Sequence, residues 1–141
     1  MYGDKVRIVW KHQPLSIHQN APLAHLASIA ADEQGKFWEF HDLVFANQRE
    51  LSRDQYVGYA RQLKLDLKKF EASMDGRSGQ PQIEADQAEA AALGATGTPA
   101  FFINGRYLSG AKPFAEFARV INAELERLKL PVPATAAQAG G

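Results

Sequence analysis

The dipeptide Asn104-Gly105 separates two short apolar-rich runs, Ala100-Phe101-Phe102-Ile103 and Arg106-Tyr107-Leu108-Ser109. Asn-Gly is the strongest short hairpin signal, because both residues tolerate the positive φ that a two-residue turn demands. The runs therefore predict strands over 100–103 and 106–109. Gly97-Thr98-Pro99 comes directly before the first of them. A proline has no N–H for a ladder, so Pro99 belongs in a turn or at the start of a strand. Downstream, Pro113 opens an amphipathic run with Phe114, Phe117, Ala118, Ile121, Leu125 and Leu128 on one helical face. Pro131 and Pro133 end it.

Upstream, Lys5-Val6-Arg7-Ile8-Val9-Trp10-Lys11 alternates and is rich in β-branched residues, so it predicts a strand that Pro14 terminates. Helical spacing then takes over. Asn20 is the expected N-cap of a helix with Pro22 in its first turn and Leu23, Leu26, Ile29 and Ala30 recurring, and Gly35 breaks it. Phe37, Phe40, His41 and Val44 predict a second helix. Ser52 with Gln55 resembles a capping box for a third, carrying Tyr56, Ala60 and Leu63. A fourth follows Asp66 with Leu67, Phe70, Glu71 and Met74. Gly76 to Gly79 is expected as a loop, and Ile83 to Leu93 as a rather polar fifth helix stopped by Gly94. Strand, five helices, hairpin and helix in that order imply an α/β or α+β layer domain with the helices inserted between sheet strands.

The chain has 141 residues, enough for one domain with a real core. Lys plus Arg equals Asp plus Glu, 16 each. The basic excess expected of a nucleic-acid surface is missing, so no nucleic-acid partner is expected. No apolar run approaches the roughly 20 residues of a membrane span, and Met1 to Lys11 lacks the apolar core of a signal peptide. The chain contains no cysteine, which excludes disulfides, thiolate metal sites and thiol catalysis by these residues themselves.

The polar residues suggest little chemistry. His12, His18, His25 and His41 match no metal-ligand spacing, and HExxH does not occur. No metal site and no cofactor are expected. His41-Asp42 is expected as a packed or capping pair. Phe37, Trp38 and Phe40 are expected in the core. Lys64, Lys68 and Lys69 should form a solvated face, and Glu84, Asp86 and Glu89 a polar helix surface. No carboxylate pair has the setting of a general acid and base, so no catalytic residue is assigned.

Four stretches together resemble the DsbA-like thioredoxin family. They are Tyr2-Gly3-Asp4-Lys5-Val6-Arg7, Lys11-His12-Gln13-Pro14-Leu15, Glu33-Gln34-Gly35-Lys36-Phe37-Trp38 with His41-Asp42, and Gly97-Thr98-Pro99-Ala100-Phe101-Phe102-Ile103-Asn104-Gly105. They stand in the family's order and cover roughly residues 2 to 128. The resemblance implies an α/β thioredoxin-like sheet with a helical subdomain inserted over about 20–93. It places a truncated domain over 1–130 and a flexible tail over 131–141. It further implies that the family's first, central strand and its Cys-x-x-Cys helix are missing here. The sheet would then be completed by dimerisation, by a piece supplied by another chain, or by re-pairing of the Lys5–Lys11 strand with the hairpin, dimerisation being favoured because the exposed edges are hydrophobic.

By the same resemblance, His12 has a structural role, Pro99 is a cis-proline, and Gly97, Thr98 and Pro99 form a substrate-peptide-binding loop, Thr98 offering its backbone to an extended protein or peptide substrate. The implied function is the C-terminal portion of a thiol–disulfide oxidoreductase, redox-incompetent in this cysteine-free chain. The alternative is a non-catalytic thioredoxin-like module that binds peptides or itself. The glutathione-transferase kappa type shares the helical insertion and would place its serine in the same missing segment. Periplasmic and cytoplasmic bacterial locations are both compatible.

Overall fold

A computed structural model describes residues 1–134 of the chain. Six helices and a two-stranded sheet make up the described residues, a mixed α/β content. The chain divides into a helical unit, Lys11–Ala92, and a sheet unit formed by Met1–Trp10 with the described residues from Leu93 onward.

The helical unit holds α1 (Ala21–Asp32), α2 (Phe37–Ala46), α3 (Arg53–Gln62), α4 (Leu67–Asp75) and α5 (Gln80–Ala92). Helix α1 packs against α2, α3 and α4. The apolar positions that recur at helical spacing meet in one core, where Leu26, Phe40, Tyr56, Phe70 and Met74 are fully buried. Each such side chain contributes about 1.5–3 kcal/mol by leaving water. Phe40 alone of the expected aromatic trio is in this core, with its ring 5.7 Å from Phe70 and 6.1 Å from Tyr56. Phe37 is half-buried and Trp38 is 43% exposed.

The helix ends follow local chemistry. Ser52 accepts a hydrogen bond from the Gln55 N–H at 3.3 Å, but the Gln55 side chain turns to Glu50 instead of reaching back, so the box is one-sided. Asp66 caps α4 through the Lys69 N–H at 3.1 Å. Asn20 precedes α1 yet its side chain makes no cap bond. Pro22, in the first turn, removes one of the N–H groups that a cap would take. Gly35 and Gly94 follow α1 and α5 at φ +71° and +74°, a conformation that suits glycine after a helix.

The sheet unit contains β1 (Ala100–Ile103), β2 (Arg106–Ser109) and α6 (Phe114–Arg127). Asn104 and Gly105 have φ +47° and +83°, as the two-residue turn requires. The strands pair antiparallel with Ala100 opposite Ser109 and Ile103 opposite Arg106. Phe101 packs edge-on against Phe117 of α6 at 4.7 Å, and Ala118 and Leu125 of that helix are buried. The first residues are tied to the same helix by the Tyr2 hydroxyl, which donates to Asn122 Oδ1 at 2.8 Å.

The strand expected over Lys5–Lys11 does not form. Gly3–Lys5 make one 3-10 turn and Val6 is extended, but among the described residues the sheet contains β1 and β2 alone. The segment therefore does not re-pair with the hairpin. Alternation and β-branching favour an extended backbone, whereas a strand also needs a neighbour for its N–H and C=O groups. Without one, Ile8 and Val9 stay 72% and 63% exposed. Of the tail expected over 131–141, residues 135–141 lie outside the described residues.

Candidate functional site

The Gly97-Thr98-Pro99 loop leads into β1, and all three residues are exposed. The Thr98–Pro99 peptide bond is cis. The Pro99 carbonyl accepts from the Gly110 N–H at 2.9 Å, which closes the open end of the hairpin. A two-residue turn makes Ile103 and Arg106 a hydrogen-bonded pair, and bonding then alternates along the ladder. Phe101 and Leu108 are bonded, as are Pro99 and Gly110. The intervening residues Phe102 and Ala100 point their N–H and C=O groups away from β2. Thr98 precedes the strand, in the bend on the far side of the cis bond. Phe102 and Ala100 thus lie along the outer edge of β1, which among the described residues pairs with β2 alone. Phe102 stacks on Tyr107 at 4.9 Å, and the two are 40% and 47% exposed.

The hairpin is clipped to α6 by a buried carboxylate. Glu124 accepts from Arg106 of β2, from Arg127 Nη2 at 2.8 Å and from Asn104 Nδ2 at 3.4 Å. These donors, Arg127 above all, pull its carboxyl down to about 2. A charged Glu124 is therefore retained in a site that is 4% exposed.

A second polar cluster lies wholly inside the helical unit. His12 is 3% exposed, and its backbone N–H donates to Asp86 Oδ2 of α5 at 2.9 Å. Its Nδ1 faces the Nδ1 of His25 on α1 at 2.8 Å. Lys11 Nζ reaches Asp86 at 3.2 Å and Glu89 at 2.8 Å. The Gln87 side chain donates to the Pro14 carbonyl at 3.2 Å. Burial lowers the pKa of His12, and burial with the neighbouring His12 lowers that of His25 to about 4.

This cluster corrects the expectation that Asp86 belongs to a polar helix surface with Glu84 and Glu89: Asp86 is buried, because it satisfies a buried backbone N–H. Its partners are distant in sequence, so no local motif announces the cluster. The signal that could have found it is α5 itself, which has Ile83 as its one buried apolar residue. His12 does take the expected structural role. His41 pairs with Asp42 at 3.0 Å and stacks on Phe45 at 4.3 Å. Lys64, Lys68 and Lys69 are exposed, as expected of a solvated face. No group of three or more His, Asp or Glu side chains among the described residues is arranged to hold a metal ion.

Comparison with known proteins gives one family and one recurrent name. A model of the DSBA-like thioredoxin domain matches residues 2–122. A Na(+)/H(+) antiporter NhaA of Herminiimonas arsenicoxydans is 42% identical over 125 residues, covering 89% of this chain and 19% of that protein. An NhaA 1 of Salinispora arenicola is 43% identical over 107 residues, covering 75% and 16%. An NhaA 3 of Salinispora tropica is 45% identical over 102 residues, covering 72% and 16%. The chain thus spans under a fifth of the length of these curated relatives. With a family model matched over most of its length, the chain belongs to the DsbA-like thioredoxin domain family.

Proposed function

We propose that this chain supplies the strand-presenting part of a DsbA-like thiol–disulfide oxidoreductase whose redox thiols lie outside these 141 residues. The observation that carries this reading is the unpaired outer edge of β1 at Ala100 and Phe102, with the exposed Thr98–Pro99 loop directly before it. An extended polypeptide laid there pairs its main chain with that edge, and its sequence matters little to the pairing. Disulfide exchange itself needs a thiolate to displace one sulfur through a mixed disulfide. With no cysteine, the chain binds and orients, and another segment does the chemistry.

Two measurements test this. Insulin reduction by the chain, with dithiothreitol as reductant, is expected at the uncatalysed rate; acceleration would contradict the division of labour. Titration with an unfolded, cysteine-free peptide should shift the amide resonances of Thr98, Ala100 and Phe102 ahead of those of β2. Shifts confined to other surfaces would overturn the role of the loop.

The antiporter relatives favour a second reading, in which the module is non-catalytic and its open edge holds another polypeptide or a second copy of the chain. On this reading the edge binds one partner strand tightly and unfolded peptides weakly. Competition between a self-associated form and the cysteine-free peptide separates the two.

A further inference from the structure

Independently of the Pro99 loop, the polar cluster in the helical unit has the construction of a switch. Lys11 is the first residue of that unit and pairs through Nζ with Asp86 and Glu89, and the segment Lys11–Pro14 is tied to helices by buried or half-buried polar groups at three further places. These are the His12 N–H on Asp86, the Pro14 carbonyl on Gln87, and the His12 ring on His25. Helix α5 depends on the same ties, since its buried residues are Ile83 and Asp86.

The contact between the rings is special. Two Nδ1 atoms at 2.8 Å form a hydrogen bond when one carries a proton and the other a lone pair. A neutral pair satisfies this. A singly charged pair satisfies it too, with the donor ring protonated at both nitrogens. A doubly charged pair puts two N–H bonds head to head, and the contact must break.

We infer that the His12–His25 pair is a proton-operated latch on the entry segment Lys11–Pro14, shut while one Nδ1 proton is shared and opened when both rings are charged. The surroundings set the order of protonation. Asp86 of α5 favours charge on both rings, Asp32 of α1 favours it on His12, and Lys11 opposes it there. Glu89 of α5 is engaged by Lys11, and α2 contributes the uncharged Phe37 ring, 6.2 Å from His12. The first proton therefore goes to His12, and the charged His12 then resists a second on His25.

Burial disfavours both charges in the shut form, with His25 held to about 4. The open form binds protons near the ordinary imidazole value of about 6.5. Between those limits the open form takes up more protons, so the shut form is fully favoured above pH of about 6.5 and loses ground as pH falls towards 4.

Amide hydrogen exchange on the full chain tests the latch. The opening constant for the His12 amide, corrected for intrinsic exchange, should rise about tenfold per pH unit below about 6 for each extra proton bound. The Phe70 amide in the core should not follow. His25→Asn keeps a hydrogen-bonding atom at the Nδ1 position and does not titrate, so the pH slope at His12 should become shallower. Where that variant folds poorly, imidazole nitrogen shifts of the wild-type chain decide. One Nδ1 should be protonated at pH 7, and both only as His12 amide protection is lost. Parallel slopes at His12 and Phe70, an unchanged slope in a folded His25→Asn chain, or two rings charging near pH 6.5 with His12 still protected would each overturn the latch.

Discussion

Glu124 illustrates how a single charged residue decides where an element sits. It lies on α6 next to the apolar stripe, between Ile121 and Leu125, and a purely apolar count of that face passes over it. Once buried, a carboxylate is tolerable only with donors around it, and Arg106, Arg127 and Asn104 supply them. Its depressed pKa fixes the sign of a pH effect. The contribution is present in full above the ordinary carboxylate value of about 4.3 and is lost as pH falls towards 2. Glu124→Gln removes the charge without removing the shape. The variant is expected to unfold at a lower denaturant concentration than wild type at pH 7, with the gap narrowing steadily by pH 3. A gap that stays constant with pH would show that packing, not charge, holds the clip. Asp86 and the two histidines share this history. Residue types were legible at each position, and helical phase at His25 and Asp86, but burial of a polar group depends on partners up to 75 residues away.

At the scale of elements, legibility followed the range of the causes. The five inserted helices and the hairpin were readable because their signals are local: apolar spacing, Ser52 and Asp66 as caps, and Asn104-Gly105 as the turn. The Lys5–Lys11 segment reads as a strand and is none, because pairing is a property of two segments. Helix α5 begins three residues before its expected start, at Gln80, since Pro81 is acceptable in a first turn. The residue just before it carries a constraint that local pattern does not reveal. A Cβ built on Gly79 would lie 2.6 Å from Ile29 Cδ1, 2.8 Å from Cγ2 and 3.0 Å from Cβ. The terminal methyl can swing away, but the branched carbons move only with α1. Gly79→Ala is therefore expected to cost about 1–3 kcal/mol in urea denaturation, more than the gain of up to about 1 kcal/mol from a stiffer unfolded chain. Pairing it with Ile29→Val, which deletes the nearest methyl, should recover part of the loss. Additive effects in that double-mutant cycle would refute the contact as the cause.

At the scale of the whole molecule, the outer edge of β1 decides whether the chain stands alone. An unpaired strand edge beside exposed Phe102 and Tyr107 is a template for another strand, and we expect the chain to associate with itself through it. The hairpin register permits a selective test. The Phe102 N–H points outward, so Phe102→Pro removes a donor from the free edge while leaving the β1–β2 bonds in place. Phe101 sits in a bonded pair with Leu108, so Phe101→Pro breaks the hairpin instead. Phe102→Ala separates the donor from the ring, since it gives up the stack on Tyr107, worth about 0.5–1.5 kcal/mol, and keeps the N–H. Light scattering should find wild type and Phe102→Ala shifting towards dimer as concentration rises, with the alanine variant weaker. Phe102→Pro should remain monomeric with its helical circular dichroism intact. A wild-type chain that stays monomeric across the concentration range and unfolds in one cooperative step would remove the second copy as occupant of the edge. The peptide titration at Thr98 would still test the edge as a binding surface. Dimerisation that survives Phe102→Pro would instead move the interface away from β1, to the exposed Ile8–Val9 segment or to the helices.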